Sequence, residues 1–176
     1  MHLAALMKNT GRIIALDPSP AHLHELRRRA TRAGLDTIET RVLSSAKATK
    51  RLTGTIDRLL IDAPCSGLGT LQRNPDIKWK LTPESLDRLR TLQRQLLETY
   101  TPLVKPAGRF VYAACSILPS EGERHTADFL SKHPAFQQGQ CRRFRRRPWL
   151  WARESFSQPW RQAWLLLSRQ RGCLRS

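Results

Sequence analysis

The chain has 176 residues, 40% hydrophobic and 26% charged, enough apolar material for one ordinary globular domain and too little for two full-sized ones. Its 31 Lys and Arg against 14 Asp and Glu give a formal net charge of +17, which points to a polyanionic partner, nucleic acid first. No apolar run approaches the roughly 20 residues of a membrane span, and the four cysteines come with neither a secretory signal nor metal-ligand spacing, so free thiols in a cytoplasmic protein without a metal are expected.

In chain order, Arg12 to Leu16 is apolar and partly β-branched, the pattern of a strand, and Asp17-Pro18-Ser19-Pro20 follows as a turn. Between Ala21 and Ala33, Leu23, Leu26, Ala30 and Ala33 fall at helical spacing, with Gly34 where a C-terminal cap belongs. Thr37 to Leu43 predicts the next strand. Arg58 to Ile61 predicts a short buried one, ending at Ala63-Pro64-Cys65-Ser66-Gly67. The longest predicted helix runs from Thr82 to about Val104. Thr82 is its cap, Pro83 its first residue, and Leu86, Leu89, Leu92, Leu96, Tyr100 and Leu103 its buried stripe. Lys105-Pro106-Ala107-Gly108 stops it, Arg109 to Ser116 reads as another strand, and Ser120 with Glu123 suggests a capping box on a helix through Leu130. Strands separated by helices imply right-handed crossovers and a mostly parallel sheet, an α/β fold of the doubly wound kind.

After His133-Pro134 the composition shifts. Residues 140 to 176 hold ten arginines and one acid, and four of the five tryptophans lie in the same stretch. Neither a clean strand nor a long capped helix is predicted there, so residues 1–134 are expected to form the domain and residues 135–176 an irregular basic tail.

Ligands of open parallel sheets bind beyond the carboxyl ends of the strands. Asp17 ends the first predicted strand, where an acid can accept a hydrogen bond from a ribose hydroxyl or simply cap the turn. Asp62-Ala63-Pro64-Cys65 ends the second strong strand and Ala114-Cys115-Ser116 the third. Most free cysteines are small buried hydrophobes, but two at equivalent strand ends argue for a shared cleft.

The string "LLIDAPCSGLGTLQRNPDIKW" from Leu59 to Trp79, followed by "GRFVYAACSILPSEGE" from Gly108 to Glu123, closely resembles the RNA cytosine-5 methyltransferases of the RsmB/NOP/Sun group over roughly Met1 to Pro134. The resemblance implies a Rossmann-like domain that uses S-adenosyl-L-methionine to methylate RNA, ribosomal RNA first. It makes Cys115 the nucleophile, Cys65 the cysteine that assists product release, Asp62 a contact of the target ring, and Asp17, Asp62 and Pro64 contacts of the cofactor. A thiolate adding to cytosine C6 makes C5 nucleophilic enough to accept a methyl group, which is why two thiols and an acid are needed. Arg73, Lys78 and Lys80, after the flexible loop of Gly67 and Gly69, would meet RNA phosphates.

The chain also departs from that family. The glycine-rich cofactor loop and the first strand, which lies mid-sheet between the strands carrying Asp17 and Asp62, precede the residues present. A separate polypeptide is one source for them. No Asp or Glu lies between Thr40 and Ile56 near the expected adenine, and Ala114 stands where the family has Thr. The tail is unlike the two antiparallel strands that end the family's domain, and is read as a shifted reading frame or a basic aromatic arm for RNA. A non-catalytic RNA-binding fragment is therefore the alternative function.

Overall fold

The computed structural model describes residues 1–43, 47–139 and 165–169. The chain forms two units, Met1–Arg51 and Leu52–Ser176.

In the first unit, α1 (His2–Leu6) precedes β1 (Ile13–Asp17), which pairs in parallel with β2 (Ile38–Val42) in the register Ile13↔Ile38 to Asp17↔Val42. The crossover is α2 (Pro20–Arg32), and α3 (Lys47–Lys50) follows β2. Ser19 starts α2 by accepting the His22 N–H, and Pro20, with no N–H to lose, occupies the first turn. Gly34, at φ 64°, ends it in the left-handed region. Asn9 braces the exit: its Nδ2 donates to the Gly34 carbonyl at 3.2 Å and its Oδ1 accepts the Thr37 hydroxyl at 3.0 Å. The first strand sits one residue later than predicted because the Asp17 carbonyl still belongs to the ladder, accepting the Leu43 N–H at 3.1 Å.

The second unit is a four-stranded sheet of β3 (Ile56–Asp62), β4 (Val104–Ala113), β5 (Phe136–Gly139) and β6 (Leu165–Arg169), in the order β3-β4-β6-β5. β3 and β4 are parallel, joined through α4 (Ile77–Lys80) and α5 (Pro83–Tyr100); α6 (Glu123–Lys132) follows β4. β6 runs antiparallel to both β4 and β5. The core gathers Ile61, Ala63, Leu97, Val104, Phe110, Tyr112, Ala114 and Phe129. Phe110 meets Phe129 and Phe136 edge-on at centroid distances of 5.9 and 5.4 Å, the arrangement that ring quadrupoles favour.

Several elements differ from the sequence expectation. Helix α5 stops at Tyr100, and Thr101–Leu103 tightens into a 3₁₀ turn, because Pro102 has no N–H to donate to the carbonyl one turn back. Its buried side carries Gln93 and Leu97, whereas Leu92 is exposed. Strand β4 begins at Val104, and residues Lys105 to Gly108 form an irregularity opposite Asp57, with register jumping from Ile56↔Val104 to Arg58↔Arg109. A Cβ at Gly108 would stand 2.7 Å from Val104 Cγ1 and 2.9 Å from the Lys105 carbonyl, so glycine is required. Strand β3 is not buried on both faces: Leu60 is exposed and only Ile61 is buried. With β4 as its one neighbour among the described residues, β3 is an edge strand. Ser120 does not cap α6; it accepts a hydrogen bond from Arg90 at 2.8 Å, and α6 starts after a 3₁₀ turn at Pro119–Glu121.

β1 and β3 lie in separate sheets, and each has one neighbour among the described residues. Beyond residue 134, where no clean strand was predicted, the structure has β5 and β6, antiparallel as in the ending that the resemblance implies. The choice between a shifted frame and an RNA arm falls on residues 140–164 and 170–176, outside the described residues. Among the described residues no helix is long and apolar enough to cross a membrane.

Candidate functional site

Strands β3 and β4 end level with each other, Asp62 paired with Ala113, and the ladder gains one more bond from the Ala63 N–H to the Ala113 carbonyl at 2.9 Å. Because both chains leave the sheet at the same height, their following residues stay side by side. Cys65 Sγ and Cys115 Sγ are 3.2 Å apart, and the Cys115 N–H donates to Cys65 Sγ at 3.2 Å. One residue further, the Ser66 and Ser116 hydroxyls are 3.0 Å apart.

Both cysteines are free and half-buried. Burial, and then the neighbouring Cys115, push the Cys65 thiol well above the ordinary cysteine range. Cys65 is thus held as a thiol at neutral pH. Its sulfur accepts the Cys115 N–H, and either thiol can supply the hydrogen in the contact between the two sulfurs.

Under the pair lies a buried polar network that the sequence reading did not single out. Glu121 has no exposed surface. Its Oε1 accepts the Ser66 N–H at 2.9 Å and Gln93 Nε2 at 3.0 Å, and its Oε2 accepts the Ser66 hydroxyl at 2.5 Å. Gln93 Nε2 also donates to the Pro64 carbonyl at 2.9 Å, and the Tyr112 hydroxyl donates to the Glu121 carbonyl at 3.3 Å. A signal for Gln93 was present: it falls four residues after Leu89 and four before Leu97, on the buried face of α5, and a polar side chain there requires a polar partner. Glu121 carries no comparable signal, because its 3₁₀ turn interrupts the helical pattern.

The loop after Cys65 is held by specific contacts. Gly67 is left-handed at φ 69°, with Ile77 Cδ1 3.1 Å from where its Cβ would be, and Gly69 donates its N–H to the Cys115 carbonyl at 3.0 Å. That contact fastens the loop over the second cysteine. Beyond it, Arg73, Lys78 and Lys80 are exposed. Lys80 pairs with Asp76, and Lys78 Nζ lies 4.9 Å from the centroid of the Trp79 ring, which is 80% exposed.

Asp62 is exposed at the end of β3 and has no hydrogen-bond or ionic partner among the described residues. Cys65, Cys115, Asp62 and Pro64 are therefore brought to one end of one sheet. Asp17 belongs to the first unit, at the carboxyl end of β1. Its Oδ1 accepts the Ser19 N–H at 2.7 Å, and His22 Nδ1 lies 3.3 Å from each carboxylate oxygen. It caps the turn and keeps acceptor capacity for a hydroxyl. Among the described residues no cluster of His, Cys, Asp and Glu could hold a metal.

The model of the 16S rRNA methyltransferase RsmB/F family matches residues 1–146. The chain belongs to this family. Over 133 residues it is 40% identical to a probable ribosomal RNA small subunit methyltransferase B of Synechocystis, covering 75% of this chain and 30% of that one. The RsmB/F-type chain thus spans about a third of the length of the curated relatives it matches. The solved structure titled PH0851 superposes with a TM-score of 0.78 at 30% identity, covering 96% of this chain and 39% of that one. NSun6 from Pyrococcus horikoshii, solved with SFG, shares the fold, with a TM-score of 0.71 at 20% identity over 96% of this chain and 44% of that one. The Rossmann-like methyltransferase fold expected from the sequence is borne out.

Proposed function

We propose that the chain carries the reacting centre of an S-adenosylmethionine-dependent methyltransferase acting on cytosine C5 in ribosomal RNA, with Cys115 as the attacking thiol. The observation that carries this reading is the pair of thiols 3.2 Å apart at the carboxyl ends of adjacent parallel strands. In this reading the Cys115 thiolate bonds to C6 of an unstacked cytosine, and the electron pair of the C5–C6 double bond becomes available at C5. Asp62, exposed and unpartnered among the described residues, hydrogen-bonds the ring N3 and amine edge and supports the charge that builds there. After C5 is methylated, its proton passes to water, the C5–C6 double bond re-forms, and the Cys115–C6 bond breaks. Cys65, kept as a thiol, donates to the departing Cys115 sulfur, which favours a helper over a general base.

The cofactor's donor set fits the residues present. Asp17 and Asp62 are carboxylate acceptors at the carboxyl ends of parallel strands, and each has capacity for a hydroxyl donor. Asp62 and Pro64, at the carboxyl end of β3, would contact S-adenosylmethionine, whose sulfonium supplies the methyl group, and Asp17, at the carboxyl end of β1, is the acceptor that the family resemblance assigns to its ribose. A further segment, in this or a separate polypeptide, would supply the glycine-rich cofactor loop. The proposed setting is the cytoplasm, which keeps both thiols reduced.

Incubation with S-adenosylmethionine and RNA containing 5-fluorocytosine, which has no C5 proton to lose after methyl transfer, tests the reading. A gel-stable adduct with the wild type and with Cys65→Ala, absent in Cys115→Ser, is expected. An adduct surviving in Cys115→Ser and lost in Cys65→Ala would reverse the two roles. RNA binding with no adduct in any variant would favour the second reading, a binding fragment without turnover, to which the exposed Trp79 and Lys78 lend support.

A further inference from the structure

We propose that Glu121 is the positioning residue for the two thiols, its buried carboxylate holding the Cys65 and Cys115 loops in register through Ser66, Ser116 and Gln93. The inference rests on the reading of Cys65 and Cys115 as the reacting pair. Glu121 touches neither cysteine, and its effect passes through their neighbours.

The hydrogen bonds have a definite direction. A carboxylate only accepts, so the Ser66 N–H, the Ser66 hydroxyl and Gln93 Nε2 all donate to Glu121. A serine hydroxyl has one hydrogen, and that of Ser66 points to Oε2. The hydrogen in the 3.0 Å contact between Ser66 and Ser116 therefore comes from Ser116. Ser116 Oγ in turn accepts the Leu118 N–H at 3.1 Å. A single relay thus runs from Leu118 through Ser116 and Ser66 to Glu121, linking the residue after Cys115 to the residue after Cys65. Gln93 adds the residue before Cys65 by donating to both the Pro64 carbonyl and Glu121.

A buried charge is a poor source of stability: apolar side chains of similar volume are often as good or better. What the carboxylate supplies here is geometry. Its oxygens set where Ser66 sits, Ser66 sets Ser116, and the two serines flank sulfur atoms that must lie within van der Waals contact to act on one base. Displacements of about 1 Å at a reacting pair cost up to ~100-fold in rate, so a group that fixes both loops has a measurable role apart from folding.

Disulfide closure reads this geometry without requiring methylation. The full chain carrying Cys141→Ser and Cys173→Ser is treated with diamide. Cys65 and Cys115 lose two protons and two electrons to form one S–S bond, and the N=N bond of diamide takes up both to become a hydrazine. Closure in this background is compared with closure after adding Glu121→Leu, Glu121→Gln or Ser66→Ala, each checked for folding by circular dichroism. Glu121→Leu is expected to slow closure about tenfold or more. Glu121→Gln, which keeps an oxygen for the Ser66 N–H and Gln93, should restore it to within about threefold. If the leucine variant does not fold, Ser66→Ala carries the same comparison with an intermediate slowing expected. Closure as fast in folded Glu121→Leu or Ser66→Ala as in the background overturns the proposal. Failure of the background chain to close also overturns it, since no held pair then exists. Glu121-dependent closure without any adduct on fluorocytosine RNA would leave the positioning role standing and remove the reading of the thiols as RNA-reactive.

Discussion

Gly69 lies on the backbone of Cys115: its N–H donates to the Cys115 carbonyl at 3.0 Å, and a Cβ at Gly69 would stand 3.0 Å from that oxygen and 3.3 Å from its carbon. The loop following one cysteine is thereby seated on the main chain of the other, closer than a Cβ ordinarily approaches. Gly69→Ala forces the loop away by a few tenths of an ångström or breaks the hydrogen bond. A loss of about 1–3 kcal/mol in urea unfolding is expected, with slower trapping of fluorocytosine RNA through Cys115. An unchanged unfolding midpoint would show that the loop lifts without cost and that the contact does not fasten it.

The ionisation of Glu121 gives a prediction with a definite sign. Burial pushes its pKa up, but the Ser116 and Ser66 hydroxyls and the Gln93 amide gathered beside it together outweigh that and hold the carboxyl below the usual glutamate range. A group whose folded pKa is lowered contributes stability that is fully present above its unfolded value, roughly 4.3, and is lost as pH falls through the folded value. The stability gap between wild type and Glu121→Gln should therefore narrow from pH 7 to pH 4 and narrow further toward pH 3. Exposed carboxylates held low by cationic neighbours, such as Glu39 and Asp57, are present in both variants and cancel in the difference. Urea titrations of both proteins at these pH values measure the gap, and a constant gap would mean that no ionised Glu121 is being protonated.

The legibility of the site follows from where its information resides. Strand limits are written locally, in an apolar run closed by Pro64 and in another that opens after Lys105 to Gly108, so Cys65 and Cys115 could be placed at equivalent positions without coordinates. Their 3.2 Å approach could not, because it depends on the parallel register of β3 with β4. Gln93 and Glu121 were missed for a related reason. They are 28 residues apart in the chain and define one another only through a hydrogen bond, and a leucine-periodicity reading assigns the buried face to Leu92 in place of Gln93. The limits of α5 and β4 shifted because Pro102 removes a backbone donor and Gly108 admits a close backbone approach, neither of which hydrophobic periodicity registers. β5 and β6 were hidden because an antiparallel strand can be as short as Phe136–Gly139 when Phe110 and Phe129 supply its packing.

The proposed RNA surface at α4 separates two kinds of contact. Trp79 is 80% exposed with the Lys78 ammonium beside its ring, whereas Lys80 is already paired with Asp76. A ring left that open can stack on an unpaired base, worth about 1–3 kcal/mol by alanine substitution and tolerant of sequence. A free lysine instead displaces condensed counterions, and its removal lowers the dependence of log affinity on log salt by about one. Trp79→Ala should therefore weaken binding of a labelled single-stranded RNA at every salt concentration while leaving the slope intact. Lys78→Ala should flatten the slope. Lys80→Ala should change it less, because its charge is partly offset by Asp76 in the free protein. Fluorescence anisotropy across a salt series separates the three variants, and a change of slope in Trp79→Ala with none in Lys78→Ala would mean that this helix does not meet RNA in the manner its side chains suggest.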